Sequence, residues 1–124
     1  MNARGEAVGT ALLSGVPIVG VVWRGHTGVA LPGLGGTLTR ASGINARSWI
    51  VGSAQLAPPT SFEPNMHAAL WIGGQAHDLN ALTVDRPAEV VLISAEDVND
   101  GGQIVGYAEV GGVQRPFLLT PAGG

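Results

Sequence analysis

Val98-Asn99-Asp100-Gly101-Gly102-Gln103-Ile104-Val105-Gly106-Tyr107 holds the pattern from which the rest of the chain can be read: an Asn, a polar turn, an apolar pair, and a Gly seven residues after the Asn. The same outline stands at Ile44-Asn45-Ala46-Arg47-Ser48-Trp49-Ile50-Val51-Gly52-Ser53 and at Met1-Asn2-Ala3-Arg4-Gly5-Glu6-Ala7-Val8-Gly9-Thr10. Asn tolerates left-handed backbone, so each copy predicts a tight turn feeding a short apolar strand that glycine closes.

A second pattern travels with the first. Aligning Trp71 with Trp23 matches the stretch from His67 to Leu82 with that from Val19 to Leu34, both running Trp-x-Gly and reaching Leu eight residues after the Trp. Arg115-Pro116-Phe117-Leu118-Leu119 is then a degenerate third copy. The Asn markers at 2, 45 and 99 are spaced 43 and then 54 residues apart, the longer copy absorbing its excess around 57–64 and 84–89. A period in this range, built from short strands, belongs to propeller or array architectures. The expectation is therefore a single all-β domain of about three degenerate repeats, 1–43, 44–97 and 98–124, whose short antiparallel strands form propeller-like blades or an open β array.

These residues also carry a resemblance. Ile44-Asn45, the Val98–Tyr107 stretch, His67-Ala68-Ala69-Leu70-Trp71 and Leu31-Pro32-Gly33-Leu34-Gly35-Gly36 resemble the HAF-type repeats of bacterial extracellular proteins. That family is named for a His-Ala-Phe strand, followed by a leucine-rich strand ending Leu-Gly-Gly and an Ile-Asn-x-x-Gly-x-Val-Gly turn. The likeness covers nearly the whole chain; Ala69 stands where the family has its aromatic, and Ser48 where it has its turn glycine. The resemblance implies a fold and an extracellular or cell-envelope setting, and it supplies no catalytic residue.

Composition agrees with a turn-rich β protein. Charged residues are 12% of the 124, against a usual share of about a quarter, while the 20 glycines are about twice the usual frequency. The net charge of −3, the absence of lysine and six scattered arginines exclude a nucleic-acid footprint, which needs clustered cations. With no cysteine, disulfides and thiolate zinc sites are excluded as well. Residues 7–23 are uncharged and mostly apolar, yet Glu6 adjoins them, Gly9, Gly15, Pro17 and Gly20 interrupt them, and no small-x-small cleavage site follows. They make a poor signal peptide and a poor membrane span, and read instead as two strands and a turn.

Taken in order, strands are expected at 6–13, 17–23, 29–34, 37–44, 49–56, 66–72, 75–82, 89–98, 103–109 and 114–120, with no sustained helical periodicity. The prolines of 57–64 remove ladder donors and make that stretch a loop. Gly73-Gly74 is the clearest hairpin turn.

Candidates for chemistry are few. Asp97-Val98-Asn99-Asp100-Gly101 has the look of a calcium loop but lacks the third alternate ligand and a closing acid, so it reads as an Asx-type turn. His67, His77 and Asp78 lie on the two strands of the expected hairpin, where a loose shared metal site is geometrically open but a third ligand is missing, and edge polar residues are the plainer reading. No Gly-x-Ser-x-Gly elbow exists, and Leu34-Gly35-Gly36-Thr37 lacks the Lys and helix of a phosphate loop. Trp49 and Trp71, with Trp23, read first as core aromatics and alternatively as a sugar-stacking surface. The expected function is a non-enzymatic binding or structural module for a protein or glycan ligand, its loops 57–64 and 84–88 meeting the partner. The ligand-binding candidates are Trp49, Trp71, His67, His77 and Asp78; no cofactor, bound metal, nucleic acid or membrane span is expected. A metal-dependent hydrolase using His67, His77 and Asp78 is the alternative. Because three copies of about 43 residues fall short of a closed ring of at least four blades, either the chain is part of a longer protein or another subunit covers its open edges, and a homo-oligomer is the expectation.

Overall fold

The computed structural model describes residues 5–12, 18–56, 66–83 and 89–121. The expected loops 57–64 and 84–88, the first marker's Asn2 and residues 122–124 lie outside them. The described chain is all-β apart from one helical turn. β1 (Glu6–Leu12), β2 (Ile18–Arg24) and β3 (Thr27–Ala30) form a first sheet in that order. β4 (Gly35–Ile44), β5 (Ile50–Leu56), β6 (Met66–Ile72) and β7 (Gln75–Asp78) form a second, from which α1 (Leu79–Leu82) continues. β8 (Val90–Val98), β9 (Ile104–Val110) and β10 (Val113–Leu119) form a third. All pairings between these strands are antiparallel, and the three sheets make an open array.

Period-two alternation explains the stacking, because the middle sheet presents apolar residues on both faces. Ile50, Ala54, Ala69 and Trp71 pack with Val22 and Leu31 of the first sheet side. Their neighbours Val51, Ala68 and Leu70 pack with Leu92, Ala95, Val98, Ile104 and Ala108 of the third. Two thin cores result, and burying each large aliphatic contributes about 1.5–3 kcal/mol.

Turn chemistry sets the registers. Gly73 and Gly74, at φ 59° and 82°, make the β6–β7 hairpin, and Gly111 and Gly112, at φ 58° and 84°, make the β9–β10 hairpin. Paired positive φ values match the twist of the flanking strands. The two Asn turns are built alike. Asn45 N–H donates to the Trp49 carbonyl and Asn99 N–H to the Gln103 carbonyl, at 3.1 and 3.0 Å. Each Asn side-chain oxygen accepts the amide four residues on, Trp49 or Gln103, at 2.9 Å. The fourth residue of each turn has positive φ: Ser48 at 63° and Gly102 at 85°. Gly5, three residues after Asn2, shares this at 77°. The turns are also joined to each other, since Asn45 Nδ2 donates to the Asn99 carbonyl at 3.0 Å and Ala46 N–H to Asp100 Oδ1 at 2.8 Å. Asp100 and Asn99 are thus occupied by turn and inter-turn bonds, in keeping with the Asx-type reading.

The registers place the marker glycines alike. Gly9 faces Val21, Gly52 faces Ala69 and Gly106 faces Phe117. On its other side Gly52 meets Ala41 and Gly106 meets Ala95, each beside a bulge. A Cβ at either position would collide with a backbone carbonyl, that of Arg40 or of Ser94, so glycine is required by close approach.

Two strand expectations are corrected. The strand expected over 75–82 ends at Asp78, because its carboxylate caps α1 by accepting from Asn80 N–H at 2.9 Å. The strand expected over 29–34 is Thr27–Ala30, since Pro32 offers no ladder donor.

Candidate functional site

Between the second and third sheets lies a cleft of about 350 Å³, walled mainly by Trp49, Leu79, Leu82, Ile104, Leu119 and Pro121. Each wall has a local cause. Trp49 is half-buried and pinned by the Asn45 turn that precedes it. Arg47 sits with its guanidinium carbon 5.9 Å from the Trp49 ring centroid, within the range of a cation–π contact. Gly102 leaves the ring its space, because a Cβ there would come within 2.9 Å of both Trp49 and Pro121.

The opposite wall is α1. A four-residue helix has little stability of its own, and here side chains hold it. Asp78 caps it, and Thr83 Oγ1 donates to the Leu79 carbonyl at 2.6 Å. The buried Asn80 side chain accepts from Leu92 N–H at 2.7 Å and donates to the Leu92 carbonyl at 2.9 Å, tying the helix to β8. The turn is thereby fixed with Leu79 buried and Leu82 half exposed at the rim.

His67 and Asp78 are brought together, and His77 is not. His67 Nδ1 lies 2.7 Å from Asp78 Oδ2. Ala69 pairs with Asp78 and Leu70 with His77, so strand alternation puts His77 on the opposite face. Burial acts to raise the Asp78 carboxyl, but hydrogen bonds from His67 and Asn80 outweigh it and hold the group below its usual range. The pair acts through α1, as cap and cap support. Among the described residues no three His, Asp or Glu side chains are grouped to hold a metal ion.

The tryptophans divide. Trp71 is 1% exposed and donates from Nε1 to the Pro32 carbonyl at 2.8 Å, so it is a core residue and offers no ring face for stacking. Trp49 belongs to the cleft. Trp23, aligned with Trp71, is 44% exposed and lies over Gly28, its partner across the strands.

A second, polar cavity of about 460 Å³ opens between the first sheet and the middle one, and Glu6, Arg24, Arg47 and Ser48 contribute to its lining. Glu6 and Arg24 are engaged with each other there: Glu6 accepts from Arg24 Nε and from Ser48 Oγ, both at 2.5 Å. This cluster ties β1 to the Asn45 turn. Leu79, Leu82 and Pro121 were not among the candidates read from the sequence; Asp78 followed by Asn80, an Asx-cap pattern, was the available signal for α1. Comparison with protein families, with characterised proteins and with solved structures finds no match to this chain.

Proposed function

We propose that the chain is a non-enzymatic β-repeat module that takes an apolar side chain of a protein partner into the cleft between its second and third sheets. The observation that carries this reading is the cleft's lining: an aromatic ring and several aliphatic side chains on a wall held in place by buried hydrogen bonds. A glycan would need polar groups placed to meet its hydroxyls, because desolvating them unpaired is costly. Apart from Thr83 and Thr120, the lining side chains are apolar or glycine. The lining therefore favours a protein ligand over a sugar.

The resemblance to HAF-type repeats supports reading the sheets as blades of a propeller-like protein in the extracellular space or cell envelope. Self-association belongs to the same proposal. Val51 and Leu70, paired across β5 and β6, are buried at 0% and 5%, whereas Val105 and Leu118, the corresponding pair in the third sheet, are 45% and 61% exposed. An apolar face of this kind marks an interaction surface.

The test is selection of a random peptide display library on the immobilised chain, followed by titration of selected peptides against tryptophan fluorescence. Enrichment of peptides with a large apolar anchor is expected, with binding weakened at least tenfold by Leu82→Asp, a rim substitution that spares the core. Failure to enrich any sequence, or equal binding by the variant, would refute the cleft as the site.

A further inference from the structure

Where β8 packs across the middle sheet, a third cavity of about 480 Å³ opens, sharing no lining residue with the apolar cleft or the polar cavity. β4 and β5 bring Arg40 and Ser53 to it, and the third sheet brings Ser94, Glu96, Tyr107 and Gln114. Arg40 and Ser53 are cross-strand partners and so share a face; Ser53 in turn lies opposite Ala68, a residue of the core shared with the third sheet. This face of β4 and β5 is therefore the one turned towards β8. Ser53 is 5% exposed, yet its hydroxyl has no hydrogen-bond partner among the described residues. Every described side-chain polar atom that is wholly sealed from solvent has a partner, so the Ser53 hydroxyl reaches solvent, and it does so through the cavity it lines. Arg40 forms no ion pair among the described residues, and Glu96 accepts there only a long bond from Ser94 Oγ, at 3.2 Å.

We propose that this cavity binds a neutral saccharide. A sugar ring carries several hydroxyls that each donate and accept, and the lining offers both halves of that exchange: Arg40 and Gln114 donate, Glu96 accepts, and the Ser53 and Ser94 hydroxyls do either. The buried Ser53 hydroxyl gains most, because a hydroxyl held away from bulk water without a partner is costly. Charge selects against ionic ligands. Arg40 and Glu96 lie in one lining, so an anion attracted by the first is repelled by the second, and a cation the reverse, whereas a neutral polyol meets both. Tyr107, half exposed, is the aromatic residue of the lining, and the negative face of such a ring suits the polarised C–H face of a sugar. The volume falls within the roughly 300–1,000 Å³ of small-molecule sites. The apolar cleft has the opposite character, so the chain carries two sites of different chemistry.

The test uses the whole chain on an array of neutral, acidic and amino-sugar oligosaccharides, with the strongest neutral binder carried into isothermal titration calorimetry. Neutral sugars are expected to bind best, with an affinity that hardly changes with salt. Arg40→Leu and Tyr107→Ala should each weaken binding at least tenfold. Ser53→Ala should weaken it about threefold to tenfold, the worth of one hydrogen bond, without lowering the thermal midpoint of the free chain, because no described partner loses a bond. Leu82→Asp, at the rim of the apolar cleft, should leave saccharide binding unchanged, so this site and the cleft stand or fall separately. Glu96→Gln keeps the shape of the lining and should also weaken binding, which covers the case in which Arg40→Leu disturbs the fold. No binding by any neutral saccharide, a preference for acidic or amino sugars, or equal affinity in the Arg40, Ser53 and Glu96 variants would overturn the proposal.

Discussion

Trp71 and Trp23 occupy corresponding positions on β6 and β2, so replacing each by Ala separates what the sequence specifies from what the neighbours add. Trp71 is 1% exposed, packs between the first and second sheets, and gives its N–H to the Pro32 carbonyl. Truncation of such a ring costs about 3–5 kcal/mol through lost contacts and the cavity left behind. Leaving the Pro32 carbonyl without its donor pushes the value towards the upper end. A domain of this size has a total stability of about 5–15 kcal/mol, so Trp71→Ala should leave a marginal fold. Trp71→Phe keeps most of the packing and should cost about 1–3 kcal/mol, mainly the bond to Pro32. Trp23 is 44% exposed, and Trp23→Ala should cost about 1 kcal/mol. Urea unfolding followed by far-ultraviolet circular dichroism reads all three as shifts in midpoint. Equal shifts for Trp71→Ala and Trp23→Ala would refute the reasoning, because they would mean that the first sheet does not cover Trp71.

Gly106→Val should lower stability by about 1–3 kcal/mol or more, since the added carbon meets the Ser94 carbonyl rather than a movable side chain, and a thermal melt checks it. Asp78 is held below its ordinary pKa near 3.8, so its contribution is present above that value and is lost as pH falls through the folded-state value. Asp78→Asn should therefore flatten the acid side of the stability–pH profile below about pH 4 and leave its slope near neutrality unchanged, as measured by urea midpoints across pH. If the third sheet's outer face is a self-association surface, Leu118→Glu should lower the mass measured by light scattering to the 12.5 kDa monomer without lowering the melting temperature.

Most of the strand pattern was legible because turn chemistry and alternation are local. The Asn turns, the Gly73-Gly74 hairpin and the Met66–Ile72 strand follow from φ preferences and period-two apolarity within a few residues. Ser48 sits in the left-handed region at the place where the other markers have Gly5 and Gly102, so the sequence departure there did not change the turn. α1 escaped because four residues cannot show helical periodicity; it exists through Asp78, Asn80 and Thr83, whose partners include Leu92, twelve residues away from Asn80. The cleft escaped for the same reason, since Trp49, Leu79 and Pro121 meet only after three separate segments are placed.

Corresponding residues acquire different roles because each sheet has different neighbours. Val51 is sealed against the third sheet, while Val105, in the corresponding position, faces outward. Trp71 is closed over by the first sheet, and Trp23 has no described sheet beyond it to do the same. Gly52 and Gly106 are crowded by a bulged strand, whereas no described atom comes within 4 Å of a Cβ at Gly9. A pattern of Asn, apolar pair and glycine specifies the strand and its two faces, but burial is conferred by the adjoining sheet or strand. The middle sheet, covered on both sides, therefore holds much of the buried core, and the outer two carry exposed apolar residues such as Trp23, Val105 and Leu118. On that logic the most informative residues for function are those whose counterparts in the middle sheet are buried and which are themselves exposed: Trp23, Val105 and Leu118.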